Sequence, residues 1–168
     1  MVGSTPVLSG DQALQDLIPG NHCFGCGPAN QGGLQLKSYW SAPGETRSSF
    51  QPAREHSAGP EHILNGGIIA TLIDCHSICT AIANYYSLGN QTVGSDPQIW
   101  CVTGSIEIRY MEPARIDQPA ELLARVIDAG KRKTIVNCSL SSAGKNCANA
   151  VVIAIRVPPE WRASADSA

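Results

Sequence analysis

The residues best suited to chemistry lie in one short run, Asn65-Gly66-Gly67-Ile68-Ile69-Ala70-Thr71-Leu72-Ile73-Asp74. Two glycines precede an apolar helical stretch. A ligand or another backbone can approach closely there, and the first helical amides point outward unpaired. Such a terminus favours a developing negative charge through its amide donors and the helix dipole. The Gly67 and Ile68 N–H groups are therefore candidates for an oxyanion site, with Gly66 giving access. The same run also reads, with no chemistry at all, as a helix start whose glycines pack closely. Asp74 sharpens the case, because an ionised carboxylate in an apolar stretch is costly unless it is paired or used. On a helix it shares a face with Ala70, Thr71, Ser77, Ile78 and Ala81, mostly small residues that leave room for a ligand. A hydrogen bond to Thr71 or Ser77 is the structural alternative. Asp74 lies roughly 10 Å along the helix axis from the glycine pair. A ligand across the helix start of one subunit could therefore meet the Asp of a neighbouring subunit.

Other groups are weaker candidates. His56, Glu61 and His62 sit in loop 54–65 and are credible acid–base groups, although exposed loops often carry such residues without using them. His76 points towards Leu72, Ile73, Cys79 and Thr80, which suits a core or interface histidine. Lys131, Arg132 and Lys133 form the only basic cluster, at a turn. They read as a solvated hairpin or as a clamp for a phosphate-bearing ligand. His22-Cys23-Phe24-Gly25-Cys26 looks like half a zinc site. A second cysteine pair at matching spacing is missing, and Cys75 and Cys79 fall on the buried helix. The expectation is a tight turn with buried thiols and no metal. Gly27-Pro28 argues against a redox C-x-x-C, which normally opens a helix.

These groups need a scaffold. The chain has 168 residues, enough for one domain with a substantial core. Its net charge of −2 provides no cationic field for nucleic acid or an anionic membrane. Charged residues make up 15%, against roughly 25% in ordinary chains, so part of the surface is expected to be covered by another subunit. The 7 cysteines are odd in number and irregularly spaced, and the N-terminus lacks a secretory pattern, which points to reduced thiols in the cytoplasm. The most apolar stretch, 63–83, is interrupted by Asn65, Asp74 and His76 and reads as a buried helix rather than a membrane span. Residues 1–9 and 162–168 read as frayed ends, 11–18 as a short helix and 21–33 as a loop. Strands are predicted at 34–40, 46–50, 99–110, 120–127, 134–141 and 148–157, around a helix at 66–86 that is apolar on all sides. In strand 99–110, Val102, Ile106, Ile108 and Tyr110 are expected to face inward, with Glu107 and Arg109 opposite. The organisation expected is an arm over 1–21, a single α+β domain over 22–158 and a tail over 159–168. The antiparallel sheet must curl round the helix, because nothing else is long enough to cover it.

Taken together, these residues resemble the hotdog-fold acyl-CoA thioesterases, in the phenylacetyl-CoA thioesterase-like branch. The family carries H-G-G at the start of its central helix and an Asp further along it, here Asn65-Gly66-Gly67 and Asp74. Tyr110-Met111-Glu112-Pro113-Ala114 looks like the family's Y-x-x-P-A strand end. Thr103 falls where relatives carry a Ser or Thr that assists the carboxylate, and Lys131, Arg132 and Lys133 fall where relatives touch CoA phosphates. The run Cys23-Phe24-Gly25-Cys26-Gly27, with Asn30 and Gly33-Leu34, resembles a leader seen in some members. The chain departs from the pattern at Asn65, which replaces the usual His, and at Gly59, where some members have Asn.

The resemblance implies a homodimer, or a dimer of dimers, with sites between subunits. It implies hydrolysis of an acyl-CoA thioester. Asp74 would act as general base or nucleophile, Thr103 would position it, the Gly67 amide would polarise the carbonyl, and Asn65 would orient carbonyl or water. Gly66, Ile68, Ser77 and the basic turn would contact the substrate. No metal or other cofactor is implied, since CoA belongs to the substrate. Two alternatives remain: a non-catalytic acyl-CoA-binding or sensing protein, favoured by Asn65 and Gly59, and a hydratase or dehydratase using His56 or His62 with Glu61.

Overall fold

The computed structural model describes residues 10–163; the end at 1–9 and residues 164–168 lie outside the described residues. The architecture follows from one long helix, α1 (Gly66–Leu88), whose residues are apolar or small on nearly every side. By length and composition α1 would also suit a membrane span, but most of it is buried inside the protein, as a core helix is. Asn65 starts it: the residue is extended, and its side chain accepts from the Gly67 and Ile68 amides as an N-cap.

Six strands surround α1: β1 (Tyr39–Ala42), β2 (Glu45–Phe50), β3 (Trp100–Tyr110), β4 (Ala120–Ala129), β5 (Lys133–Ser142) and β6 (Lys145–Val157), followed by a short α2 (Pro159–Ala163). They form one sheet in the order β1-β2-β4-β5-β6-β3, with every neighbouring pair antiparallel. Leu72, Ile73 and Tyr86 of α1 are fully buried with Ala124, Val136, Leu140, Val152 and Ala154 of the sheet. An antiparallel sheet wrapped round one central helix is the hotdog fold.

The structure corrects several local expectations. Residues 34–40 alternate as a strand does, with Leu36 and Ser38 buried, but pairing begins only at Tyr39. The Leu34 and Leu36 amides donate instead to the carbonyls of Phe24 and Gly25, at 2.8 and 3.0 Å, and Gln35 sits at φ 57° between them. The helix expected over 11–18 is a single 3-10 turn, Leu14–Leu17, which Pro19-Gly20 does not allow to continue. On β3, Ile106 pairs with Val152 and Tyr110 with Ala148, so both share the inner face. They are nevertheless 39% and 52% exposed, because β3 is the edge of the sheet.

His76 is wholly buried in a polar seam between α1 and the first strands. Ser38 Oγ lies 2.8 Å from its Nδ1, and the Thr46 carbonyl lies 3.2 Å from its Nε2. Burial holds its pKa down at about 4, so the ring is neutral, donating from Nε2 and accepting at Nδ1. Tyr86 makes a comparable buried tie further along α1. Its hydroxyl accepts from the Ile99 amide at 2.9 Å and donates to the Ser95 carbonyl at 3.2 Å. Tyr86→Phe leaves both backbone groups unpaired and is expected to cost about 1–3 kcal/mol. Chemical denaturation would show this as a lower midpoint at unchanged slope.

Candidate active site

Asp74 lies on the side of α1 that the sheet leaves open, and it is half-buried. Thr103 Oγ1 donates to its Oδ1 at 2.5 Å. Thr103 pairs with the buried Ala154 and therefore faces the helix. The bulge immediately after it, at Gly104, turns the rest of the edge strand. A Cβ at Gly104 would stand 2.7 Å from Ile155 Cγ1, so the close approach of β3 to β6 depends on glycine. Desolvation raises the pKa of the Asp74 carboxyl. The Thr103 hydrogen bond pulls it back, and negative charge on Cys23 adds to the rise. The result is a carboxylate more basic than an exposed one but still held ready to accept a proton.

Beside Asp74 lies a cavity of about 260 Å³, walled by Ile78, Ile82, Trp100 and Val102 among others, with Cys23, Cys26 and Cys75 also on its lining. The turn 21–33 forms this wall by lying across α1. A Cβ at Gly25 would be 2.2 Å from Cys75 Sγ and 2.9 Å from Thr71 Cγ2, so only glycine lets the turn approach that closely. The reading that kept Cys75 apart from Cys23 and Cys26 is corrected here: the three sulfurs lie within 4.8 Å of one another. Hydrogen bonds with the Cys26 and Cys75 thiols, joined by the amides of Cys26 and Gly25, hold Cys23 far below the ordinary thiol range. Through the same contacts Cys26 is pushed up to about 12, and Cys75 also rises. These contacts favour the thiolate at Cys23 over its two neighbours.

The other end of the site is the start of α1. Asn65 is exposed, and its Oδ1 accepts from Gly67 N–H at 2.7 Å and from Ile68 N–H at 3.3 Å. The two amides expected to be open are thus capped by the residue before them, and the Nδ2 group of Asn65 is left as the outward donor. Gly67 permits this arrangement, since a Cβ there would stand 3.0 Å from Asn65 Oδ1. Tyr110 ties the end of β3 to the same place, donating to the Gly66 carbonyl at 2.8 Å.

The remaining candidates separate. Ser77 is fully buried beside Cys138 of β5, its Oγ without a hydrogen-bond partner among the described residues, so it faces the sheet and not the Asp74 cavity. An expected substrate contact at Ser77 is therefore corrected; α1 turns it away from the open side. His56 is half-buried, stacks on Phe50 and accepts the Ala53 amide at Nδ1. Its carbonyl accepts the Asn65 amide at 2.9 Å, which places the backbone of His56 beside the helix start. Glu61 and His62 are exposed in the same loop. Lys131, Arg132 and Lys133 are exposed at the β4–β5 turn. Thr103, Ala154 and Thr134 lie in register across β3, β6 and β5. Lys133 is therefore two strand spacings, roughly 10 Å, from the Thr103 end of the site. At Gly130 the turn accepts from Tyr85 OH at 3.0 Å, near the far end of α1 from Asn65. A larger groove, about 530 Å³, runs over the outer face of the sheet past Arg109, Arg125 and Val151, away from Asp74.

Residues 61–148, more than half of the chain and spanning both Asn65 and Asp74, match the thioesterase superfamily. The chain belongs to the thioesterase superfamily. It is similar to a thioesterase superfamily protein of Shewanella loihica PV-4, at 29% identity and a TM-score of 0.60 over 78% of this chain and 98% of that one. A phenylacetic acid degradation-related protein of Ralstonia eutropha JMP134 superposes with a TM-score of 0.65 at 19% identity, over 86% of this chain and 99% of that one. A Streptococcus mutans UA159 protein bound to acetyl CoA shares the fold at 15% identity and a TM-score of 0.59, over 73% and 88% of the two chains. None of the curated proteins compared matches the sequence.

For this superfamily member, the sequence singles out Asp74, Thr103 and the helix start, and the structure joins the first two by a hydrogen bond. Tyr110 has no role in the sequence beyond the motif, and nothing there shows that the cysteine turn walls the cavity. Both depend on which segments meet in space. Asn65→Ala is expected to lower stability by about 1 kcal/mol through loss of the cap, whereas Asn65→Asp keeps the cap and the stability. Thermal or denaturant melts of the two variants side by side would check this.

Proposed function

We propose that this protein hydrolyses acyl-CoA thioesters to the free acid and CoA. The observation that carries the reading is Asp74. It is a desolvated carboxylate held by Thr103 at the mouth of an apolar cavity, in a chain of the thioesterase superfamily. Asp74 takes a proton from water as the water attacks the carbonyl carbon, or attacks that carbon itself to form an anhydride that water hydrolyses once CoA has left, releasing the acid and the Asp74 carboxylate. CoA then leaves as its thiolate and takes a proton from solvent. Thr103 fixes the Asp74 oxygen. The acyl group lies along Ile78, Ile82 and Trp100, and Lys131, Arg132 and Lys133 attract the CoA phosphates. A relative bound to acetyl CoA and another bound to coenzyme A support the choice of ligand.

One subunit is not enough for this chemistry. The Asn65 donor and Asp74 are separated by roughly 10 Å or more along the helix, while reacting atoms must come within about 3–3.5 Å. The edge strand β3, 11 residues long and unpaired on its outer side, offers its backbone to a second copy. Antiparallel pairing of two β3 strands brings the Thr103 end of one against the Tyr110 end of the other. Asp74 of one subunit then faces the Asn65 cap of its neighbour, in a dimer or a dimer of dimers. Asn65 Nδ2, pre-polarised by the two amides on its oxygen, donates to the carbonyl as negative charge develops. The reaction needs no cofactor, and the free thiols suit the reducing cytoplasm.

The capped Gly67 and Ile68 amides favour one alternative, a CoA-ester-binding protein without turnover. Thiol release from a panel of acyl-CoAs, from short chains to phenylacetyl and benzoyl esters, decides between them. Asp74→Asn is expected to lower turnover by roughly 10²-fold or more. Asn65→Asp is expected to lose a similar factor while remaining as stable as wild type, because it removes the donor and sets a charge against the oxyanion. Equal rates for wild type and Asp74→Asn would sink the hydrolase mechanism, and saturable binding with no release would establish the alternative.

A further inference from the structure

The turn 21–33 meets the middle of α1 at three sulfurs. Cys23 and Cys26 come from the turn and Cys75 from the helix, 52 residues from Cys23, yet the Cys23 and Cys75 sulfurs are 3.5 Å apart. All three sulfurs lie within 4.8 Å of one another. A tetrahedral zinc ion with bonds of about 2.3 Å to sulfur spaces its thiolates by about 3.8 Å. An ion therefore fits between these three with side-chain shifts of about 1 Å or less. No other group of three potential ligands converges in this way among the described residues.

The surrounding turn is shaped to present the sulfurs. The amides of Gly25 and Cys26 lie near enough to the Cys23 sulfur to lower its pKa, the kind of surrounding that steadies a thiolate ligand. Asn21 Oδ1 accepts the Cys23 amide at 2.9 Å, and Gly27 N–H closes the turn on the Cys23 carbonyl at 2.8 Å. A Cβ at Gly25 would stand 2.2 Å from Cys75 Sγ, so any other residue would fill the space where the sulfurs meet. A Cβ at Gly27 would stand 2.3 Å from the Cys23 nitrogen. Cys26 and Cys75 are buried while Cys23 is exposed, which gives an ion a way in. A disulfide would use only two of the three sulfurs and would need an oxidant; it leaves the convergence of the third unexplained.

We propose that Cys23, Cys26 and Cys75 bind one zinc-type divalent cation per chain as three thiolates, with the fourth coordination position facing the cavity beside Asp74. The thiol protons pass to solvent as the metal binds. The ion clamps the turn onto α1 one residue from Asp74 and so fixes the wall of the cavity. This inference does not depend on the hydrolase reading, and its test does not use activity.

The chain, kept reduced and stripped of metal, would be titrated with Zn²⁺ alone against a chromophoric chelator, and separately with Co²⁺. One equivalent of zinc binding below micromolar is expected, with thiolate-to-cobalt charge-transfer bands and the intense visible bands of a tetrahedral site. Cys23→Ser changes an exposed residue, and circular dichroism would confirm that it folds. It is expected to weaken zinc binding by more than roughly 10²-fold, beyond what loss of an outer-shell partner costs. Cys147→Ala, on β6 outside the cluster, is expected to bind as wild type does. Zinc binding weaker than micromolar, cobalt spectra without sulfur bands, or a folded Cys23→Ser that binds as tightly as wild type would each overturn the assignment.

Discussion

The need to bury α1 governs this structure. A 23-residue helix that is apolar or small on nearly every side cannot rest one face on a flat sheet and leave the other in water. At roughly 25 cal/mol per Å² of apolar surface, leaving it open would cost several kcal/mol, a large share of a domain's stability. The sheet therefore curls round it, and β2 to β6 all touch it. What the sheet cannot reach, the turn 21–33 and the 3-10 segment at Leu14–Leu17 cover in part. The side that remains open carries Asp74.

That placement accounts for the character of the carboxylate. Asp74 is far enough out of water for desolvation to raise its pKa, and close enough to the edge strand to receive one hydrogen bond from Thr103. An unpaired carboxylate in the core would be neutral and inert as a base, and one on the surface would be weakly basic. The open strip of a buried helix gives the intermediate condition. Negative charge at Cys23, on the same wall, pushes in the direction of greater basicity. The same edge position leaves the outer side of β3 unpaired, and on the proposed function that open side is where a second subunit completes the site.

The helix start shows how a single residue sets which donors a site presents. With Asn at 65, the first amides are satisfied internally and the donor moves outward to the side chain. Asn can do this because its short amide both accepts at Oδ1 and donates at Nδ2, and Gly67 leaves the space it needs. The oxyanion machinery of this chain, on the proposed function, is thus a side chain backed by amides in place of bare amides.

Much of this was legible in the sequence. The all-round apolarity of α1, the alternation of β4 to β6, and the glycine pair with Asp74 down the helix depend on local periodicity, and local periodicity is written in residue order. Residues 34–38 alternate as a strand does but do not form one, because their backbone partners lie elsewhere: the carbonyls of Phe24 and Gly25, with Gln35 turned to φ 57° between them. Ser77 shares a helical face with Asp74 in the sequence yet faces the sheet, because helical spacing gives neighbours on a helix but not which arc the sheet covers. Asn65 reads as a plausible cap from its type, but that its oxygen takes both candidate oxyanion amides is a matter of rotamer and close approach. The cysteines mark the limit most clearly. Their spacing in the chain gives only half a site, and Cys75 joins Cys23 and Cys26 because a glycine lets a turn lie directly on a helix 52 residues away. The sequence by itself determined a helix that had to be wrapped and a carboxylate that had to be used or paired. Only the tertiary structure decided which atoms meet that carboxylate, because contacts between distant segments are set by packing and not by periodicity.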